Sequence, residues 1–375
     1  MKDWLESPEA IGAVDAILAG VGLEHGKRKT RTGSWKDGYR IKQPKSSLSL
    51  GFNGSKRTAG VVRVPGWDRW PWLQAGFSTR QGGGSSAYGE GEQNLGWTGE
   101  DDAKIVAENR ARFVRAVSGK NSGELATIRQ FHSGMLRAID GDHGALSTKE
   151  GKAVLRGDGL VTDLRGLLLG VQTADCVPVL LADTRTRAVA AFHAGWRGTL
   201  ARIVERGVGT MKLRYGSRSK DLVAAIGPAI GACCFGVGEE VRFEFESQFA
   251  YAPTLFSEVY DSDPIREKYP LLFLTARAPG HSNIGPQIHL DLVEANRRQL
   301  LDAGLANSKI SVVSECTACT RLKSGVRKYF SHRAEHGYTG RMLSVIGTKG
   351  CAELLLAQLF EERVAVGKGV AVDRA

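Results

Sequence analysis

From residue 101 to residue 313 the chain alternates short, dense apolar runs with longer segments in which apolar residues recur every three or four positions. The dense runs are LATIRQF (125–131), GLVTD (159–163), LLLGVQ (167–172), VPVLLA (177–182), RAVAAFH (187–193), LVAAIG (222–227) and KISVV (309–313). At five to seven residues each they have the length of buried strands. The helical spacing appears in DDAKIVAENRARFVRAV (101–117), GTLARIVERGVGTMKLRY (198–215), GEEVRFEFESQF (238–249) and LDLVEANRRQLLDAG (290–304). Strands apolar on both faces, interleaved with helices, predict an α/β (α+β) fold with well-covered sheets. VPVLLA and RAVAAFH are separated only by the polar turn DTRT, which predicts an antiparallel hairpin and therefore mixed sheets.

The pattern places a single main domain at 61–348. Before it, Ser7 and Pro8 form a helix start followed by Ile11, Val14, Ile17 and Leu18 at helical spacing. A stretch rich in Lys and Arg (26–45), interrupted by Gly, Ser and Pro, then reads as a flexible arm. After the domain, 349–375 reads as a helix, AELLLAQLFEERVA, with a tail. Composition changes this picture little: 42% hydrophobic and 24% charged residues are ordinary for a soluble protein, and no run approaches the roughly 18 apolar residues of a membrane span. The start MKDWLESPEA has acids where an export signal has bases, so a cytoplasmic protein is expected. The net charge of +11 is uneven, since residues 1–70 carry 13 bases against 7 acids. That makes the arm attractive to polyanions, but no nucleic-acid-reading module accompanies it, and no specific nucleic-acid or membrane partner is expected.

Six cysteines in 375 residues are too sparse for a disulfide framework, which leaves thiols or metal ligands. Cys176 precedes the first strand of the hairpin and His193 ends the second, so the hairpin returns one to the neighbourhood of the other. Both are donors that zinc favours, and a catalytic zinc takes three protein ligands and leaves one position open. His132 also ends an apolar run and is the third candidate. Spacing alone leaves the alternative open that these are a structural imidazole and a small buried hydrophobe. Asp175 is a candidate general base, and Arg197 a fixed cation for an anionic substrate. Cys316-Thr-Ala-Cys319 is a single C-x-x-C without a second pair or nearby histidines at matching spacing, and is read as structural or incidental thiols. Cys233-Cys234 sits in the glycine-rich GPAIGACCFGVG and is read as packing, because vicinal cysteines do not readily share a metal. STRQGGGSS (78–86) lacks the Lys-Ser/Thr ending of a phosphate-binding P-loop and is read as a mobile loop.

The motifs FSTRQGGGS (77–85), NLGW (94–97), RQFHSG (129–134), GDGLVT (157–162), QTADCVPVLLAD (172–183), AAFHAGWRGT (190–199), GPAIGACCFGVGEEV (227–241), CTAC (316–319) and TGRM (339–342) occur in one order. In that order the chain resembles the laccase-domain, or polyphenol oxidase, family over roughly 65–347. The resemblance implies mixed sheets packed face to face with flanking helices. It implies a zinc, or copper, held by His132, Cys176 and His193. It also implies phosphorolysis of adenosine, inosine and methylthioadenosine, with adenosine deamination. The partners are then purine nucleosides and inorganic phosphate, handled by a monomer or homodimer. The anion candidates are Arg197 first, then Arg80, Arg333 and Arg341. Two departures stand out: Gln130-Phe131-His132-Ser133 replaces the family's Gln-Val-His-Gly, and Ser331-His332-Arg333-Ala334 replaces Ser-Tyr-Arg-Arg. Alternative readings are a zinc amidase acting on peptidoglycan precursors and a copper-binding polyphenol oxidase. Multicopper chemistry uses paired His-x-His motifs, and the eight histidines here form none.

Overall fold

The computed structural model describes residues 23–29, 35–41, 58–119, 123–259 and 287–350. The chain divides into two units, Met1–Lys56 and Arg57–Ala375. In the first, β1 (Leu23–Lys29) and β2 (Trp35–Ile41) form an antiparallel hairpin in the register Leu23↔Ile41 to Lys29↔Trp35. Part of the basic arm read as flexible is thus paired strand; its glycines and closely spaced charges give no alternation from which pairing could be read. The expected helices at 7–18 and at 352–365 (AELLLAQLFEERVA) lie outside the described residues.

The second unit contains, in chain order, β3 (Val61–Val62), β4 (Leu73–Ser78), β5 (Gln81–Ser85), α1 (Ala103–Ser118), β6 (Glu124–Thr127) and β7 (Leu136–Ala138). Next come β8 (Gly159–Thr162), β9 (Leu167–Thr173), β10 (Val177–Asp183), β11 (Val189–Ala194), α2 (Trp196–Leu200), α3 (Ile203–Tyr215) and β12 (Leu222–Ile226). The remainder are β13 (Gly236–Val237), α4 (Glu239–Gln248), β14 (Phe256–Val259), β15 (Gln287–Leu290), α5 (Leu292–Asp302), β16 (Ile310–Val312) and β17 (Met342–Thr348). Among these no helix is long and apolar enough to cross a membrane.

Two mixed sheets carry the fold, one of order β16-β12-β10-β11-β8-β7 and one of order β3-β4-β17-β9-β6, with a small sheet β13-β15-β14 beside them. The expected hairpin is present, with Val177 opposite Ala194 and Pro178 opposite His193. Pro178 costs no ladder bond to its partner, because the His193 N–H turns to the Asp158 carbonyl instead (2.8 Å). The turn is closed by Asp183, whose Oδ1 accepts from the N–H groups of Arg185 and Thr186.

Period-two geometry explains why these strands are apolar throughout. Leu180, Ala182, Val189 and Ala191 face the second sheet and meet Leu169, Val171 and Ile346. The intervening Val179, Leu181, Ala190 and Phe192 face outward and are covered by Val204 and Val208 of α3 and by Ala295 and Leu300 of α5. On the far side, Leu343 and Val345 pack against Phe113 and Val117 of α1. The layers are therefore helix, sheet, sheet, helix. Gly207 of α3 shows how close the outer layer comes, since a Cβ there would lie 2.1 Å from the Phe192 ring. A buried aromatic of this kind is worth about 3–5 kcal/mol against alanine.

Three details depart from the sequence reading. The helix expected over 198–215 is two helices, because Arg202 between them takes φ 54°. Its guanidinium is held by Glu205 and by the Gln248 carbonyl (both 2.8 Å). The run LATIRQF forms strand only to Thr127, and the chain then leaves the second sheet for the first, so His132 stands on an irregular link. Finally, β4 and β17 were not foreseen: LQAGFS and MLSVIGT mix serine, threonine, glycine and glutamine with apolar residues, yet β17 is buried throughout.

Candidate metal centre and cavity

The site lies where the chain changes sheets. Three links converge at one end of the sandwich: β6 to β7, which carries His132; Ala174–Cys176 between β9 and β10; and the end of β11, which carries His193. His132 (φ 62°) and Asp175 (φ 92°) both adopt the left-handed region, uncommon for residues with a Cβ, and each marks a sharp reversal of the backbone. The result brings the ligand atoms of His132, Cys176 and His193 within 4.8 Å of one another. The two imidazole rings stand edge to face with centroids 4.8 Å apart.

Asp158 organises all of this. It is fully buried just before β8, and its carboxylate accepts from the His132 N–H (3.0 Å), the Ser133 N–H (2.6 Å), the Ser133 hydroxyl (2.7 Å) and the Phe131 N–H (3.2 Å). The same carboxylate lies 2.9 Å from His193 Nδ1. A proton on Nδ1 leaves Nε2 as the free lone pair, the arrangement by which carboxylates orient metal-binding histidines. Although burial works against it, these donors hold the Asp158 carboxyl well below the usual range, at about 2. Burial also opposes charge on Cys176 and His193. Each is nonetheless driven toward its charged form by the other, the thiol downward and the imidazole upward, so the site favours a thiolate.

These three donors are the ones expected from the sequence; Asp158 was not among them. The signal available was Asp158 within the quoted GDGLVT, a carboxylate directly before an apolar strand. Gly195 was also passed over. A Cβ there would sit 3.0 Å from both Cys176 Sγ and His132 Cδ2, so the glycine keeps room beside the donors. Two borderline nitrogens and a soft sulfur, with an aspartate behind one ring, fit zinc.

The donors open into a cavity of about 990 Å³. Among the described residues its charged lining is Arg129, Lys152, Arg197, Arg333 and Arg341, against a single carboxylate, Asp175. Trp97, Trp196 and Phe235 add aromatic surface. Arg197 is exposed, stacks on Trp196 with 4.1 Å to the ring centroid, and makes no side-chain hydrogen bond among the described residues. Arg333 lies over Phe235 and donates to the Gly236 carbonyl (2.8 Å), while Arg341 donates to the carbonyls of Thr339 (2.8 Å) and Gly340 (3.0 Å). Asp175, expected as a base, accepts from the Thr317 hydroxyl at one oxygen and from the Arg333 N–H at the other (both 2.7 Å). Arg80 is elsewhere. Its guanidinium is buried between Glu92 and Glu335, donates to the Tyr88 carbonyl and lies over the Phe330 ring, so it does not reach the cavity.

The cysteines read as incidental or as packing do not stay apart. Cys233, Cys234, Cys316 and Cys319 bring their sulfurs within 4.8 Å of one another. The vicinal pair and the C-x-x-C pair are 82 residues apart from Cys234 to Cys316. They meet because β12 and β16 run parallel, Ala224↔Ile310 to Ile226↔Val312, and deliver both following loops to the same place.

Comparison with known proteins agrees with this architecture. The sequence profile described as multi-copper polyphenol oxidoreductase laccase matches residues 74–349. The chain is 34% identical over 275 residues to the purine nucleoside phosphorylase YlmD of Geobacillus stearothermophilus, covering 73% of this chain and 90% of that protein. It is 34% identical over 277 residues to the adenosine deaminase RL5 of an unknown prokaryotic organism, covering 73% and 93%. The crystal structure of the Bacillus licheniformis hypothetical protein YfiH superposes with a TM-score of 0.63 at 29% identity, covering 77% of this chain and 97% of that one. With most of its length matched in sequence and in fold, the chain belongs to the multi-copper polyphenol oxidoreductase laccase family.

Proposed function

We propose that the protein is a zinc-dependent purine nucleoside phosphorylase that also deaminates adenosine. The observation that carries this reading is one cavity that combines a three-donor metal cradle, five cationic side chains and aromatic walls. A purine, a ribose and a phosphate need those three kinds of surface at once. Zinc held by His132, Cys176 and His193 would supply Lewis acidity toward water or a substrate heteroatom.

The chain's own residues supply the rest. Arg197 offers its forked donors to phosphate, and Arg333 and Arg341 add positive charge across the cavity. Trp196, Phe235 and Trp97 give flat surface for the base, and the buried indole N–H of Trp97 has no hydrogen-bond partner among the described residues. Asp175, with both oxygens already accepting, acts as a positioning residue for Arg333 and Thr317 rather than as a proton acceptor. Phosphorolysis breaks the bond from ribose to purine and joins ribose to phosphate. Deamination replaces the adenine amino group with oxygen from water and releases ammonia. The names of the similar proteins support both reactions.

The test is to incubate the zinc-loaded protein with adenosine. With phosphate present, adenine and ribose 1-phosphate should accumulate; without it, inosine and ammonia. No nucleoside turnover, together with cleavage of an amide in a nucleotide-linked sugar peptide, would favour the amidase reading. Phenol oxidation by the copper-loaded protein alone would favour the oxidase.

A further inference from the structure

We propose that Cys233, Cys234, Cys316 and Cys319 form a second metal centre, a closed tetrathiolate zinc site that clamps one wall of the cavity. Four thiolates around a tetrahedral zinc with Zn–S of about 2.3 Å have sulfurs roughly 3.8 Å apart. Cys233 Sγ and Cys319 Sγ are 3.7 Å apart, and all four sulfurs fall within 4.8 Å. A disulfide requires about 2.05 Å, so these sulfurs are not bonded to one another, and their spacing matches that of co-ligands. Backbone donors converge on one of the four sulfurs. The Gly231 N–H donates to Cys316 Sγ (3.3 Å), and the N–H groups of Ala318 and Cys319 also bear on that sulfur.

Packing does not explain the cluster. Cys233 and Cys319 are exposed, and Cys234 and Cys316 only half-buried, so the four thiols bury too little surface to act as a hydrophobic contact. Each pair sits on a tight turn. The N–H groups of Cys234 and Phe235 both return to the Gly231 carbonyl (3.0 Å), and the Thr320 N–H returns to the Cys316 carbonyl (3.0 Å). The C-x-x-C turn is the usual half of a structural zinc site; the adjacent Cys233-Cys234 pair departs from that spacing, yet its turn brings both sulfurs within 4.8 Å of the other two.

The centre lies one residue from groups that shape the cavity. Thr317, next to Cys316, donates to Asp175 and through its own N–H to the Ala229 carbonyl (2.9 Å). Phe235, next to Cys234, lies on the cavity wall beneath Arg333. The two loops are otherwise tied by a single parallel bridge, Ala229 to Cys316; the metal reinforces that link and fixes the Asp175–Arg333 contact on which that wall depends.

The experiment uses the full chain. Elemental analysis of the purified protein should give about two zinc ions per chain. His193→Ala and Cys319→Ser should each leave about one, and the double variant close to none. Cobalt exchange of a Cys176→Ser protein keeps a thiolate-to-cobalt charge-transfer band and tetrahedral d–d bands, which Cys319→Ser in the same background removes. Unsubstituted protein supplies a reading that does not depend on variant folding. Its four cluster thiols resist a disulfide reagent until zinc is chelated, and then react. Zinc content unchanged by Cys319→Ser, four thiols reactive without chelation, a Cys233–Cys319 disulfide in freshly isolated protein, or iron in place of zinc would each overturn the proposal. These readings do not use nucleoside turnover, so they stand or fall separately from the proposed activity.

Discussion

The two clusters of metal-type donors differ in every respect that separates chemistry from scaffolding. His132, Cys176 and His193 stand at strand ends and sheet crossings, at the floor of a large cavity, with a buried carboxylate orienting one ring. Cys233, Cys234, Cys316 and Cys319 stand on two surface turns, and the Gly231 N–H donates to Cys316 Sγ. Three ligands leave room for a reactant, whereas four thiolates close the shell. Mixed donors gathered at sheet crossings around a buried carboxylate hold a geometry; uniform donors on loops hold the loops.

That contrast can be broken most directly at His193. His193→Ala should abolish phosphorolysis and deamination while leaving the tetrathiolate zinc in place, as read by product formation and metal content. Full phosphorolysis by the demetallated variant would end the metal-centred scheme. Asp158→Asn keeps the shape but removes the charge behind His193, and should lower metal affinity or activity roughly 10–100-fold. Zinc titration with the cysteine cluster intact measures it. Arg197→Ala should raise the KM for phosphate about tenfold and leave phosphate-free deamination nearly unchanged. Equal loss in both reactions would mean that Arg197 serves the nucleoside and not the anion. The smallest effect belongs to Gly195→Ala, which crowds Cys176 and His132 by a few tenths of an ångström. It should weaken zinc binding at the cavity less than Asp158→Asn does, without change at the cysteine site.

What could be read from the sequence was whatever depended on burial within one element. VPVLLA and RAVAAFH are apolar on both faces because a sheet covers one side and helices the other, so their pairing and the nearness of Cys176 to His193 followed from the hairpin alone. Helix α1 was equally plain, with Asp102 capping it through the Lys104 N–H. What escaped depended on meetings between distant segments. Asp158 matters because it reaches His132 and His193 together, 26 and 35 residues away. The cysteine cluster exists only because β12 and β16 pair in parallel. Arg80 looked available to an anion because nothing nearby in the chain discloses its partner Glu335. Strand β17 was hidden by its serine, threonine and glycine, which are tolerated because neighbouring strands satisfy its backbone on both edges.

Strand β17 also governs the order in which the protein can be assembled during synthesis. It lies between β4 and β9, yet it is translated after every other strand of either large sheet. Until residues 342–348 emerge, β4 and β9 have no partner on their facing edges, and the second sheet exists as two separate halves. The hairpin β10–β11 and its helices can condense earlier, but its inner face of Leu180, Ala182, Val189 and Ala191 waits for a complete sheet to cover it. Ribosome-bound chains halted before residue 342 would therefore expose that face to chaperones, and release of β17 is the event that closes the sandwich.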